Sequence, residues 1–234
     1  MNINSLTERI HERRAFLRTI ASVAGLALTG CVMTRNEAEQ LNDDGQEAEV
    51  TPGEDLMQEH GVLERILLIY DEVIRRTERK EPFDPVLVAQ AAGIVRSFVE
   101  DYHEKLEEQF VFSRLQTAQR GTDLVAILLR QHQRGRELTD AILSSARSGA
   151  ASGLAPILRS FSRMYRPHAA REDTVLFPAF RDVVGRSAYR ELGGQFEERE
   201  HELFGEYGFR TVVDRVADIE RALSIHNLAE FTPT

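Results

Sequence analysis

Six side chains able to hold a metal recur along the chain in step with one another: His60, His103 with Glu107, His132, and His168 with Glu172. An i,i+4 pair on a helix projects from one face, one turn apart, so each His-x-x-x-Glu can offer an imidazole and a carboxylate to a common point. The order His, His-x-x-x-Glu, His, His-x-x-x-Glu is an internal two-fold repeat. Each candidate also sits on an apolar stripe. Leu63 and Leu67 follow His60, Val99 and Leu106 bracket His103, Leu128 precedes His132, and Phe161 and Met164 precede His168. An ionisable residue on a buried stripe is costly unless paired or ligating. A lone histidine on an apolar face is an ordinary core residue, and a lone His-x-x-x-Glu an ordinary surface pair. Four imidazoles and two carboxylates in one core are hard to satisfy by hydrogen bonds alone. That mixture of nitrogen and oxygen donors suits Fe, Mn or Zn.

The elements that must position these donors read as helices. From Leu56, an apolar period of 3.6 places Leu56, His60, Leu63, Leu67 and Tyr70 on one face, and Pro82 and Pro85 end the segment. A second helix is expected from about Pro85 to Gln119, with Val95, Val99, Leu106 and Phe110 inward, before Gly121. A third runs from about Thr122 to Arg147, with Val125, Leu128, Leu129 and Ile142 on its stripe. A fourth runs from about Leu154 to Val184 and a fifth from near Ala188 to roughly Leu223. No strand alternation is convincing. The fold class is therefore all-α, an up-down four-helix bundle with an additional C-terminal helix. Pro167 lies inside the fourth helix and predicts a kink beside His168.

Composition narrows the field. The formal charge is −9 over 234 residues, with no basic stripe, so a nucleic-acid partner is not expected. The single cysteine, Cys31, excludes an intrachain disulfide framework and thiolate cluster sites. Ferritin-like di-iron proteins pair Glu-x-x-His on two helices, and Glu100…His103 and Glu198…His201 match that spacing. That pairing strands His60, His132 and His168. The zincin His-Glu-x-x-His is missed twice, because the closing position is Glu107 after His103 and Gly205 after His201. His201 and His226 read as surface residues.

The chain resembles the hemerythrin-like family of cation-binding domains. The resemblance covers roughly Asp55 to Leu223. It rests on Gln58-Glu59-His60-Gly61, Asp101-Tyr102-His103-Glu104-Lys105-Leu106-Glu107-Glu108, Arg130-Gln131-His132, and Tyr165-Arg166-Pro167-His168-Ala169-Ala170-Arg171-Glu172-Asp173 with Leu176-Phe177-Pro178. It implies a non-heme di-iron centre with a bridging oxo or hydroxo. Glu107 and Glu172 would bridge, His60 and His103 would serve mostly one iron, and His132 and His168 the other. Oxygen-carrying members have a second histidine one turn after the third-helix ligand, where this chain has Arg136. Iron-sensing members use a glutamate directly after the second-helix histidine, which makes Glu104 a possible additional ligand. Glu108 and Asp173 are expected outside the ligand set. Phe112-Ser113 stands where the family often has Phe-Pro.

The first thirty residues read as an address. Arg13-Arg14-Ala15-Phe16-Leu17-Arg18 resembles a twin-arginine export signal, and Leu28-Thr29-Gly30-Cys31 resembles a bacterial lipobox with Cys31 as the lipidated residue. The uncharged run between them is too short to span a bilayer. Residues 1–30 carry a net +2, which leaves the remainder at −11. Residues 31–54 read as an acidic flexible tether, residues 55–223 as the bundle and residues 224–234 as a tail. The expected location is membrane-anchored, facing the periplasm or cell exterior. Three functions follow as expectations. The first is a non-enzymatic di-iron protein that binds or senses O₂, NO or iron. The second is a di-iron oxidoreductase acting on peroxide, NO or ferrous iron. The third is a bundle that metal merely stabilises.

Overall fold

The first helix, α1 (Pro52–Arg79), starts four residues before its apolar periodicity does. Thr51 and Glu54 form a capping box: Thr51 Oγ1 accepts from the Glu54 amide, and the Glu54 carboxylate accepts from the Thr51 amide at 3.0 Å. Pro52 at the first position is preset for the helix. The Gly53 amide donates to the Tyr189 hydroxyl at 2.9 Å, and a Cβ on Gly53 would stand 2.5 Å from that oxygen. Pro52 and Gly53 are thus buried starting residues of the bundle, and the end of the expected tether belongs to α1 instead. A computed structural model of the chain describes residues 50–149, 151–205 and 208–233, within the unit Ala48–Thr234. The export-signal positions Arg13 and Arg14, the lipidation position Cys31 and the tether up to residue 49 lie outside the described residues.

Asp84 accepts from the Val86 amide and Pro85 opens α2, which runs unbroken to Thr117. It is not one regular helix. Pro85–Ile94 is α, Val95–His103 is π, Glu104–Leu106 is α, Glu107–Phe112 is π and Ser113–Thr117 is α. Gly121, at φ 64°, precedes α3 (Thr122–Arg147), a regular helix with the bounds its periodicity predicts. α4 is built of Ala151–Arg171, a π turn at Glu172–Leu176, and Phe177–Val184. Pro167 does not end its helical segment. It is exposed, so the carbonyl it leaves without a donor can turn to water, and the departure from α geometry comes at Glu172.

The expected single C-terminal helix is two: α5 (Arg186–Phe204) and α6 (Gly208–Ala222). Gly205, at φ 77°, takes a conformation that ends α5. A short 3₁₀ turn, Leu228–Phe231, follows in the tail.

α1 to α4 form a closed ring in which α1 and α3 each pack between α2 and α4. The α5–α6 pair covers the α1 and α2 side. Arg65 holds Glu220 through two hydrogen bonds of 2.8 and 2.6 Å, and Phe204 and Phe209 lie on Phe98. The core includes Leu56, Ile66, Leu67, Tyr70, Val88, Phe98, Val125, Ile142, Leu158 and Phe161, all fully buried. Each contributes on the order of 1.5–3 kcal/mol from burial. That apolar interior encloses one strongly polar layer.

Candidate metal centre

The polar layer holds all six predicted donors, each at most 4% exposed. His60 comes from α1, His103 and Glu107 from α2, His132 from α3, and His168 and Glu172 from α4. Their Nε2 atoms turn inward to the two carboxylates. His60 and His168 lie 3.4 and 3.1 Å from Glu172 Oε2, while His103 and His132 lie 3.6 and 3.4 Å from Glu107 Oε2. His132 Nε2 also stands 3.9 Å from Glu172 Oε1. The donors fall into two sharing groups: His60, His103 and Glu107, and His132, His168, Glu107 and Glu172. Local geometry serves this arrangement. Each carboxylate is the first residue of a π turn, and five residues on each turn delivers a phenylalanine. Phe112 stacks on His132 at 5.3 Å and Phe177 on His60 at 5.7 Å. π turns inside α-helices occur often at functional sites.

The outward nitrogens are also fixed, in a cycle around the ring. Glu59 on α1 accepts from His103 Nδ1 on α2 at 2.7 Å. Glu108 on α2 meets His132 Nδ1 on α3 at 3.2 Å. Gln131 on α3 meets His168 Nδ1 on α4 at 2.9 Å, and Asp173 on α4 meets His60 Nδ1 on α1 at 2.7 Å. An acceptor on Nδ1 puts the proton there and leaves the Nε2 lone pair facing inward, as a ligating imidazole requires.

Without an ion, this set is poorly satisfied. All four oxygens of Glu107 and Glu172, and His132 Nε2, are buried without a hydrogen-bond partner. Burial and the charge of Glu172 drive the Glu107 carboxyl well above its usual range. Burial would raise Glu172 too, but the neighbouring imidazoles of His168, at 3.1 Å, and His60, at 3.4 Å, hold it below that range. Burial lowers His103 and takes His132 down to about 4. Burial also opposes charging His60, yet its bond to Asp173 and the neighbouring Glu172 carboxylate carry it up to about 9. His60 and His103 approach each other at Nε2 to 3.1 Å, a contact that needs a proton or a cation between the lone pairs. Unpartnered inward oxygens among inward imidazoles, with the outer nitrogens already held, fit a bound metal.

The hemerythrin HHE cation binding domain matches the chain over residues 51–180 and again over 127–230. This chain belongs to that family. Its relatives include uncharacterized proteins of Mycobacterium tuberculosis (strain H37Rv) and Mycobacterium bovis. Each is 47% identical over 232 residues, which covers 95% of this chain and 91% of the relative. No solved structure matches. The family and the buried His/Glu cluster together make the domain a metal-binding helical bundle.

Against the hemerythrin pattern, Glu104 and Arg136 are the departures that matter. Glu104 is 1% exposed, but its oxygens are taken: Oε1 accepts from the Tyr165 hydroxyl and Oε2 from Arg136, both at 2.7 Å. The nearest imidazole atom is His132 Nδ1, the outward one, at 4.0 Å. The structure therefore sets Glu104 behind His132 and apart from the inward donors. Burial raises its carboxyl to about 8 in spite of Tyr165 and Arg136. Arg136, where carriers have a histidine, reaches Glu104 and Glu108 and not the centre. Glu198 and His201 are exposed, so the ferritin-like pairing finds no second half, and His226 is exposed as well. Sequence reading gave Glu59 and Gln131 no role. Both were visible as polar residues directly before a candidate donor histidine, just as Glu108 and Asp173 directly follow a candidate donor glutamate.

Proposed function

We propose that this hemerythrin-like domain holds two non-heme iron ions, with Glu107 and Glu172 shared between them, and binds or senses O₂, NO or iron at an open iron position. The observation that carries the reading is the convergence of four Nε2 atoms on two carboxylates whose oxygens have no other partner. His60 and His103 would hold one ion, and His132 and His168 the other. Iron in such a set supplies one-electron chemistry and reversible binding of small molecules. Two imidazoles and two shared carboxylates leave an ion that prefers six donors short, whereas a purely structural site is closed. Among the described residues no fifth histidine joins the set, and Arg136, at the carrier position, turns to Glu104 and Glu108. That weighs against oxygen carriage. The residues around the centre exclude bulk water: Phe112 and Phe177 cover two imidazoles, and all six donors are buried.

One feature favours the oxidoreductase reading. The Tyr165 ring meets His168 edge-on at 5.4 Å, and its buried hydroxyl donates to Glu104. A phenol beside the centre, hydrogen-bonded to a buried carboxyl group, could serve redox turnover of peroxide, NO or ferrous iron. Reduced, iron-loaded protein separates the two. A reversible spectral change with O₂ or NO supports binding; sustained consumption of peroxide supports the enzyme. No response to any of them rejects both and leaves a metal-stabilised bundle.

We further propose export by a twin-arginine route through Arg13 and Arg14, and membrane anchoring through lipid on Cys31. A route that moves folded protein would let the ions load before export. Cys31→Ala should then release the protein from the membrane fraction, and Arg13→Lys with Arg14→Lys should leave it in the cytoplasm. Retention of the cysteine variant on membranes would reject the anchor.

A further inference from the structure

The donors facing the centre repeat in type from one half of the ring to the other, but the groups behind them do not. Behind His60 and His103 stand two carboxylates, Asp173 and Glu59, each 2.7 Å from the outward nitrogen. Glu59 is buried with His103 and out of reach of solvent screening. Behind His132 and His168 the support is weaker. Glu108 lies farther off, at 3.2 Å, and its charge is drawn off by Arg136 and Lys105, each at 2.7 Å. Behind His168 the position opposite Glu59 in the two-fold repeat is Gln131, an uncharged amide, at 2.9 Å. Arg136 adds positive charge on the same side. An imidazole that donates to a carboxylate is a stronger donor at its other nitrogen than one that donates to an amide, and outer partners of this kind typically change metal affinity ~10–100-fold.

Resting on the two-ion reading above, we propose that the two positions are unequal by construction. The position at His60 and His103 takes the tighter ion. The position at His132 and His168 takes the weaker, exchangeable one, and Gln131 is the positioning residue that sets the difference. The weaker position is then the one from which an ion or a donor is most easily displaced. This gives an iron-responsive or gas-responsive centre a resident ion and a variable ion within one bundle.

The test is anaerobic titration of the folded chain with Co²⁺ against a competing chelator, read from the cobalt ligand-field absorption. The wild type should bind two ions in steps separated by about tenfold or more. Gln131→Glu should tighten the weaker step by about tenfold and leave the tighter step in place. Asp173→Asn, on a partly exposed side chain, should loosen the tighter step by about tenfold and spare the weaker one. Two equal positions that merely repel each other's ions would also give two steps, but Gln131→Glu would then act on the tighter one, and that result overturns the proposal. Two ions entering in a single undivided step overturn it as well. Saturation at one ion overturns the two-ion reading itself, and the proposal falls with it. Helical circular dichroism on each variant confirms that the compared chains are folded.

Discussion

α2 and α4 carry His-x-x-x-Glu and each starts a π turn at the glutamate, α2 having already run as π over Val95–His103; α1 and α3 carry a single histidine and stay regular throughout. The difference shows what each pair of helices is asked to do. A lone imidazole needs only a place on the inward stripe, which ordinary 3.6 periodicity supplies. A helix that must send an imidazole and a carboxylate to one point, and then lay an aromatic ring over a neighbour's imidazole, needs a different phase below the carboxylate. The π turns after Glu107 and Glu172 supply it, and Phe112 and Phe177 arrive in equivalent places.

The strongest way to break this contrast is to empty one of those aromatic positions. Phe177 is 2% exposed and stacks on His60, so Phe177→Ala should cost about 3–5 kcal/mol in denaturant unfolding. A loss below about 1 kcal/mol would mean that the π turn has no packing role. The next effect belongs to His60 on α1. Its folded value of about 9 lies above the unfolded 6.5, so the metal-free fold binds the extra proton more tightly. That stability is fully present below pH 6.5 and is lost as the pH rises through about 9. It amounts to roughly 3 kcal/mol. His60→Asn in metal-free protein should flatten the alkaline fall seen in unfolding curves.

Smaller effects should follow on the regular helices. On α3, a Cβ at Gly135 would collide with the Tyr165 hydroxyl oxygen. Gly135→Ala should displace the phenol from Glu104 and destabilise the fold by about 1–3 kcal/mol, visible in the melting temperature. Thr51→Ala removes the capping box at the start of α1 and should cost about 1 kcal/mol without changing metal content.

The convergence of the candidate donors was legible in sequence because they repeat: four histidines fall one per helix on apolar stripes, and two have a glutamate one turn on. The bounds of α3 were legible for a similar reason, since Gly121 and the apolar stripe both mark them. The π turns were not, because an i,i+4 pair looks the same whether the next turn is α or π; the pair of phenylalanines five residues after Glu107 and Glu172 was the available sign. Which imidazole each outer partner serves was hidden, because each acts across the ring. Asp173 serves His60, 113 residues away, and Glu59 serves His103, 44 away. Glu104 looked like a ligand from its place beside His103, but Arg136 and Tyr165 claim its oxygens, and neither contact can be read from spacing. The α5–α6 break was masked by apolar spacing that continues on both sides of Gly205. The start of α1 was masked by Pro52 and Gly53, which suit a tether as well as they suit a first helical turn.

The central claim is a pair of ions shared by Glu107 and Glu172. The most direct test counts iron per chain after anaerobic Fe²⁺ loading and removal of excess metal, in the wild type and in a Glu107→Ala, Glu172→Ala double variant. The account predicts about two ions in the wild type and fewer than one in the variant, with helical content retained. A wild-type count of about one or zero, or a variant that keeps about two, would contradict it.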